Sequence, residues 1–292
     1  MDLAVLDIGS NTVHILIFDV NRGARPIPYM SERVTMRLMQ YLTDDGYIND
    51  EGRRRLLKAV ESHLKVARRY NPDELLTIVT SAVREAVNGD EILAEIDSMI
   101  DGDLQVLAGD EEAAATFFAA RRWFGWGAGQ LLVIDIGGGS LEVAAGMNEL
   151  PDVAESVPLG AGRLTRTYLH HDPPTKKEIK EMRRAVRSTL KPLVARVLAR
   201  SSPDWVVATS KTFRSLARLA GMQFEGMGPD QRWKMSTAQL RDWVPRLAKI
   251  PAKQRMELPG ITPERTYQIV AGAVVASEVL RHLKIETVEI CP

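Results

Sequence analysis

The sequence predicts an α/β protein of two similar domains facing each other across a cleft. Apolar runs short enough for strands alternate with longer segments of helical periodicity. A unit of strand, glycine turn and strand occurs twice, as LAVLDIGSNTVHILI from Leu3 to Ile17 and LLVIDIGGGSLEVAA from Leu131 to Ala145. The glycine-rich GWGAGQ at 125–130 stands just before the second copy and marks a junction, so the domains are expected over 1–126 and 127–292.

Each element has a local reason. Residues 3–7 and 13–20 read as the strands of a β-hairpin. A helix is expected to start near Asn49-Asp50-Glu51, with Leu56, Leu57, Val60, Leu64 and Val66 on its apolar side and Asn71-Pro72 as its stop. LLTIVT (75–80) is a strand running into SAVREA, 91–100 a helix, LQVL (104–107) a short strand, and 111–123 a further helix. In the second half, strands 131–136 and 141–146 flank the glycine turn. Thr175 and Glu178 stand at capping-box spacing before a long helix. WVVATS (205–210) enters a helix at KTFRSLARLAG, a last helix is expected over 263–283, and TVEIC is the last strand.

Composition narrows the classes. Apolar residues make up 45% and charged residues 26%, as in ordinary globular chains, and 38 Lys+Arg balance 38 Asp+Glu. A single cysteine, Cys291, excludes a disulfide framework within the chain and a thiolate zinc cluster. No apolar run approaches the ~20 residues of a membrane span. Asp2 and Asp7 stand where a signal peptide would carry basic residues. A cytoplasmic protein with no membrane partner is expected.

The glycine turns carry the chemistry. Gly137, Gly138 and Gly139 are free to take positive φ, and successive N–H groups in such a turn form a concave anion site to which Ser140 adds a hydroxyl. Asp135 and Glu142 would repel a bare phosphate unless a cation lies between, and Mg²⁺ is held in this way by one or two carboxylates, waters and phosphate oxygens. In the first copy Asp7 takes the place of Asp135, and Gly9, Ser10, Asn11 and Thr12 make the turn. Rival phosphate loops fail. The turn leads into a strand where a dinucleotide fold needs a helix, and Ser210-Lys211-Thr212 lacks the glycines of a P-loop.

Other residues are weaker signals. Arg84 follows the strand at 75–80, where α/β folds expose ligand groups, and its planar fork suits phosphate. Glu112, beside Asp110 and Glu111 at a helix start, is explained by the helix dipole alone. Between Thr175 and Arg200 nine basic residues outnumber two acidic ones, a local excess that attracts polyanions. Few aromatics lie nearby, so no nucleic-acid partner is expected. The five histidines show no metal-site spacing.

Taken together, VLDIGSNTVHILI, VTSAVREAVN, LAGDEEAAATFFAARRWFGW, VIDIGGGSLEV, SVPLGAGRLTRTYL, VATSKTFRSLARLAG and QIVAGAVVA resemble the exopolyphosphatase / guanosine pentaphosphate phosphohydrolase family, most closely its short, two-domain actinobacterial form. That family lies in the actin-like ATPase superfamily. The resemblance implies two actin-like (ribonuclease H-like) domains across a cleft, phosphates bound by both glycine loops, and Mg²⁺ (or Mn²⁺) held by Asp135 and Glu142, with Asp7 as a further candidate. It implies Glu112 as the base that activates water and Arg84 as a phosphate grip. The expected activity is release of orthophosphate from the end of inorganic polyphosphate, with short chains expected because the accessory domains of long members are absent. Hydrolysis of guanosine pentaphosphate is the alternative, followed by an ATPase or kinase of the same superfamily and by a binding module without turnover. A homodimer is implied by the resemblance alone.

Overall fold

The computed structural model describes residues 1–21, 23, 26–225 and 232–291, with the backbone alone for 223–225. The chain divides into two compact units, Met1–Ala108 and Gly109–Pro292.

The first unit begins with β1 (Asp2–Ile8) and β2 (Thr12–Asp19), the expected hairpin, and adds β3 (Pro28–Thr35), which its polar sequence had hidden. A 3₁₀ turn at Leu38–Tyr41 leads to α1 (Asp50–Tyr70). There Asn49 caps the first turn by accepting the Gly52 N–H, and Asn71 ends the helix in the left-handed region. Then come β4 (Glu74–Val79), the single turn α2 (Ser81–Arg84), α3 (Gly89–Asp97) and β5 (Leu104–Val106). The sheet order is β3-β2-β1-β4-β5. The β1–β2 and β2–β3 pairs are antiparallel, while β1–β4 and β4–β5 are parallel. Leu6, Ile8, Val13 and Ile15 bury one sheet face against Leu56, Val60 and Leu64 of α1.

The second unit opens with α4 (Gly109–Phe124), then β6 (Leu131–Ile136), β7 (Leu141–Gly146) and β8 (Val153–Val157). It continues through α5 (Ala161–Tyr168), α6 (Lys176–Arg200), β9 (Trp205–Ala208), α7 (Ser210–Leu219), β10 (Gln223–Glu225), β11 (Arg232–Ser236) and α8 (Thr237–Leu247). The one-turn α9 (Ala252–Arg255), α10 (Ile269–His282) and β12 (Thr287–Ile290) complete it. The sheet order is β10-β11-β12-β9-β6-β7-β8. Read from one edge, β8-β7-β6-β9-β12 repeats β3-β2-β1-β4-β5 of the first unit: a three-strand antiparallel meander followed by two parallel strands.

Three expectations shift. The chain divides ahead of α4, upstream of the expected 126/127 junction. Ala113, Phe117 and Ala120 of α4 are buried with Leu131, Val133, Ala144 and Val207 of the second sheet. Arg121 of the same helix is 1% exposed and donates to the carbonyls of Gly129 and Gly146 at 2.8 Å, which ties the glycine-rich segment to that sheet. The last helix starts at Ile269, because residues 263–268 form turns rather than a helical N-terminus. The meander's third strands, β3 and β8, and the elements α5, β11 and α8 were not foreseen, although Leu240, Trp243, Val244 and Leu247 give α8 a helical apolar period.

The capping box at Thr175 forms as expected, with its side chain accepting the Glu178 N–H. No helix among the described residues is long and apolar enough to cross a membrane.

Candidate active site

The second unit supplies a carboxylate cluster at one hairpin end. Asp135 on β6 and Glu142 on β7 are direct cross-strand partners, and Glu142 in turn faces Ser156 on β8. Like charges placed opposite each other destabilise a sheet, and here they sit beside strands buried on both faces. Glu142 is 4% exposed. Its Oε1 accepts the Ser156 hydroxyl at 2.9 Å. Burial, then the charges of Glu112 and Asp135, raise its pKa to about 8 against the opposing hydrogen bonds of Ser140 and Ser156. The Asp135 carboxyl is also pushed up, by desolvation, while the Thr209 hydroxyl it accepts and the positive charges of Arg214 and Arg265 pull the other way.

Packing explains how Glu112 reaches this cluster. Side chains alternate along a strand, so Glu142 shares a sheet face with Ala144, and Asp135 with Val133. Ala113 of α4 is buried in one cluster with Val133 and Ala144. The first turn of α4 therefore lies over the carboxylate end of the hairpin, and the Glu112 charge acts on Glu142.

The glycine turn works differently from the expectation. None of Gly137, Gly138 and Gly139 takes positive φ. The turn closes by a 3.0 Å bond from Gly137 N–H to Ser140 O, and its carbonyls are fixed by the start of α5. Ala161 N–H donates to Gly137 O at 3.0 Å, Arg163 N–H to Gly138 O at 3.0 Å, and Gly160 N–H to Gly139 O at 3.2 Å. The Arg163 Nε adds a 2.8 Å bond to Gly139 O. In a planar trans peptide the C=O of one residue and the N–H of the next point in opposite directions. With the three carbonyls turned toward α5, the N–H groups of Gly138, Gly139 and Ser140 are turned away from it. Such a run of donors is a nest for an anion. Close approach is what Gly160 supplies. A Cβ on Gly160 would lie 2.2 Å from the Gly139 carbonyl carbon and 2.4 Å from the Ser140 nitrogen. Sequence reasoning missed Gly160, although it stands in the SVPLGAGRLTRTYL stretch.

The first unit holds a related turn. Gly9 N–H donates to Thr12 O at 2.9 Å, Leu38 N–H to Ser10 O at 2.8 Å, and Met36 and Arg37 N–H groups to Asn11 O at 2.8 and 3.1 Å. By the same peptide geometry, the Asn11 and Thr12 N–H groups face away from residues 36–38. Ser10 is buried and its hydroxyl meets that of Ser81 at 2.8 Å. Asp7 pairs with His14 across the hairpin, where Asp135 has a carboxylate opposite. Its Oδ1 would lie 3.9 Å from a Cβ built on Gly9. Arg84, at the end of α2, donates to the Leu107 carbonyl and, at 3.3 Å, to Glu85.

A second repeat escaped sequence reading. Thr80-Ser81 follows β4 and Thr209-Ser210 follows β9, in each case after an apolar run. Thr80 N–H donates to Ile8 O at 3.2 Å and Thr209 N–H to Ile134 O at 2.9 Å, so each pair is stitched to a residue next to the hairpin aspartate, after Asp7 in the first unit and before Asp135 in the second. Ser210 holds a φ of 76°, a strained value for a side-chain-bearing residue, of the sort that clusters at functional sites.

Among the described residues no group of three or more His, Cys, Asp or Glu is assembled as a metal cage. The chemistry of the donor set still suits a hard divalent cation. Two adjacent carboxyl groups whose ionised forms burial disfavours are groups whose negative charge such a cation would stabilise in place of protons, and Mg²⁺ takes its remaining ligands from water and phosphate.

The model of the Ppx/GppA phosphatase family matches residues 16–292. Over its whole length the chain is 44% identical to exopolyphosphatase 1 of Mycobacterium tuberculosis, covering 85% of that protein. It is 45% identical over its whole length to exopolyphosphatase 1 of Mycobacterium leprae, covering 86% of that protein. The crystal structure of an exopolyphosphatase from Cytophaga hutchinsonii superposes with a TM-score of 0.84 at 22% identity, over 99% of this chain and 93% of that one. That of a Ppx/GppA family member from Aquifex aeolicus gives 0.76 at 20% identity, over the same shares. The actin-like α/β architecture of these structures is that of the present chain.

Proposed function

Since this chain belongs to the Ppx/GppA phosphatase family, we propose that it is an exopolyphosphatase, hydrolysing the terminal phosphoanhydride of inorganic polyphosphate to orthophosphate. The single observation that carries the reading is the direct pairing of Asp135 and Glu142 at a hairpin whose turn has its three glycine carbonyls bound by the start of α5, which leaves the following N–H groups facing the other way. A site built to hold carboxylates together beside an anion nest suits a cation–phosphate ligand.

In this reading the N–H groups of Gly138, Gly139 and Ser140 bind the terminal phosphate and stabilise its charge as the bond to the bridging oxygen breaks. Glu112, on the helix turn above Glu142, orients a water and takes its proton as the oxygen attacks phosphorus. The shortened chain departs with the bridging oxygen. Asp135 and Glu142 would hold Mg²⁺ or Mn²⁺, which supplies charge neutralisation for the phosphoryl oxygens. The same reading gives phosphate binding to Gly9, Ser10, Asn11, Thr12 and Arg84 of the first unit, where Asp7 is a further candidate carboxylate for a cation. Support for these roles comes from the family match and from the order of the motifs.

Phosphorus NMR of the purified protein incubated with polyphosphate and Mg²⁺ tests the reaction. Orthophosphate should grow as the terminal-phosphate signal persists and internal phosphate declines. Fragments of intermediate length without orthophosphate would overturn the proposal.

A further inference from the structure

Four neighbouring strands set one row of side chains at the carboxylate end of the second sheet. Asp135 on β6 pairs with Glu142 on β7, and Glu142 pairs with Ser156 on β8. On the other side β9 runs parallel to β6 with Ala208 opposite Ile134, which brings Thr209, the next residue, level with Asp135. Across the sheet the row reads Thr209, Asp135, Glu142, Ser156, two carboxylates with a hydroxyl on either flank.

Both hydroxyls are engaged with the pair. Ser156 Oγ donates to Glu142 Oε1 at 2.9 Å, and Thr209 Oγ1 donates to Asp135 Oδ2. Glu142 also accepts the Ser140 hydroxyl from the turn. Helix α7 draws nothing from the Thr209 side chain, which stands at the N-cap without making a cap bond. The matching hairpin row of the first unit reads Asp7, His14, Arg33, with basic side chains in place of Glu142 and Ser156. The Ser156 hydroxyl therefore accompanies the second carboxylate.

Left to themselves, two adjacent carboxylates repel and turn apart. Here each has one oxygen tied on its outer flank, away from the other carboxylate. That leaves the second oxygen of each on the inner side. Mg²⁺ is held octahedrally by one or two carboxylates and several waters, whereas Ca²⁺ takes about six to eight oxygens and often both of one carboxylate.

We propose that Ser156 and Thr209 are positioning residues that present one oxygen each of Glu142 and Asp135 to a shared divalent cation, and that this sets a preference for Mg²⁺ or Mn²⁺ over Ca²⁺. The inference rests on the reading of the pair as a cation site and names the residues that make that site selective. Groups bonded to metal ligands fix their orientation, and losing one costs about tenfold to a hundredfold in metal affinity.

The test is cation binding by the substrate-free protein. Free Mn²⁺ is read by electron paramagnetic resonance, and Mg²⁺ and Ca²⁺ by their displacement of Mn²⁺. Thr209→Val and Ser156→Ala remove one hydroxyl each, while Thr209→Ser and Ser156→Thr keep it. Wild type should bind Mn²⁺ and Mg²⁺ more tightly than Ca²⁺. Each variant without the hydroxyl should lose about tenfold or more in Mn²⁺ affinity, with Ca²⁺ affinity changed by less than about twofold. The variants that keep the hydroxyl should hold the wild-type ratio of the two affinities, which separates positioning from a loss of fold. A ratio unchanged in Thr209→Val and Ser156→Ala, whether both affinities fall together or stay, overturns the positioning role and leaves the cation site standing. So does an equal narrowing of the ratio in Thr209→Ser and Ser156→Thr. If wild type binds Mn²⁺ no more tightly than Glu142→Gln does, the cation reading itself fails, and the proposal with it.

Discussion

Asp135 and Glu142 face each other across the β6–β7 hairpin, two carboxylates in direct register at the rim of a buried sheet. Packing alone gives no reason for this pair. Burial raises the affinity of both for protons, and the charges of Glu112 and Asp135 raise that of Glu142 further. A fold that keeps such a pair is less stable for it, and the natural compensation is a bound cation.

Replacing Glu142→Gln should therefore stabilise the cation-free protein while abolishing phosphate release. The folded-state pKa of Glu142, about 8, lies above that of an unfolded glutamate, so the folded chain holds the extra proton between about pH 4.5 and 8. Stability contributed by that proton is present at low pH and is lost as pH rises through 8. In a chelator, wild-type Tm should fall relative to the variant between pH 5 and 8. A relief of about 1 kcal/mol corresponds to ~2–4 °C for a domain of this size. Parallel Tm curves for the two proteins would contradict this.

Glu112→Gln should lower kcat for phosphate release by about a hundredfold or more, the usual contribution of a positioned base. Binding of polyphosphate should persist. A kcat within threefold of wild type removes Glu112 from the reaction and leaves it the helix-start role that sequence alone suggests.

Gly160→Ala drives a methyl into the backbone of the glycine loop, where the nearest atom is 2.2 Å away. The loop must shift, and its N–H groups with it. Phosphate release should drop at least tenfold, with Tm lowered by several degrees. Gly127→Ala, at an open position where nothing lies within 4 Å and φ is not positive, gives the control for a substitution without a clash, and its activity should remain within twofold of wild type.

Glu178, remote from the hairpin, gives a pH prediction of opposite sign. Burial would raise its pKa, but hydrogen bonds from His171, Thr175 and the His170 N–H outweigh it and hold it at about 2. A depressed carboxylate stabilises the fold above its unfolded pKa of about 4.5 and loses that contribution as pH falls through 2. The stability of wild type over Glu178→Gln, read from urea midpoints, should be constant above about pH 5 and shrink between pH 4 and 3. A difference independent of pH would contradict it.

Much of this was legible in the sequence because the informative elements are local. Both hairpins, the Asn49 and Thr175 caps and the D-x-G repeat each occupy a few adjacent residues. What escaped depends on tertiary contact. The association of α4 with the second sheet rests on Phe117 and Arg121 meeting residues that follow them by a turn and a hairpin. The role of Gly160 shows only when α5 is laid against the loop. The glycine turn was expected to use positive φ, which none of its three glycines adopts, and the position where backbone approach requires a glycine is Gly160 of the facing segment. The Thr-Ser pairs after β4 and β9 were visible as a repeated dipeptide, yet their meaning lies in hydrogen bonds to a neighbouring strand.

The most direct measurement is the rate of orthophosphate release from polyphosphate of defined length by the purified protein, with Mg²⁺ and with a chelator, in wild type and Glu142→Gln. Release one phosphate at a time, dependent on the divalent ion and lost in the variant, is the expected result. Equal release in chelator, or an active variant, would contradict the role given to the Asp135–Glu142 pair.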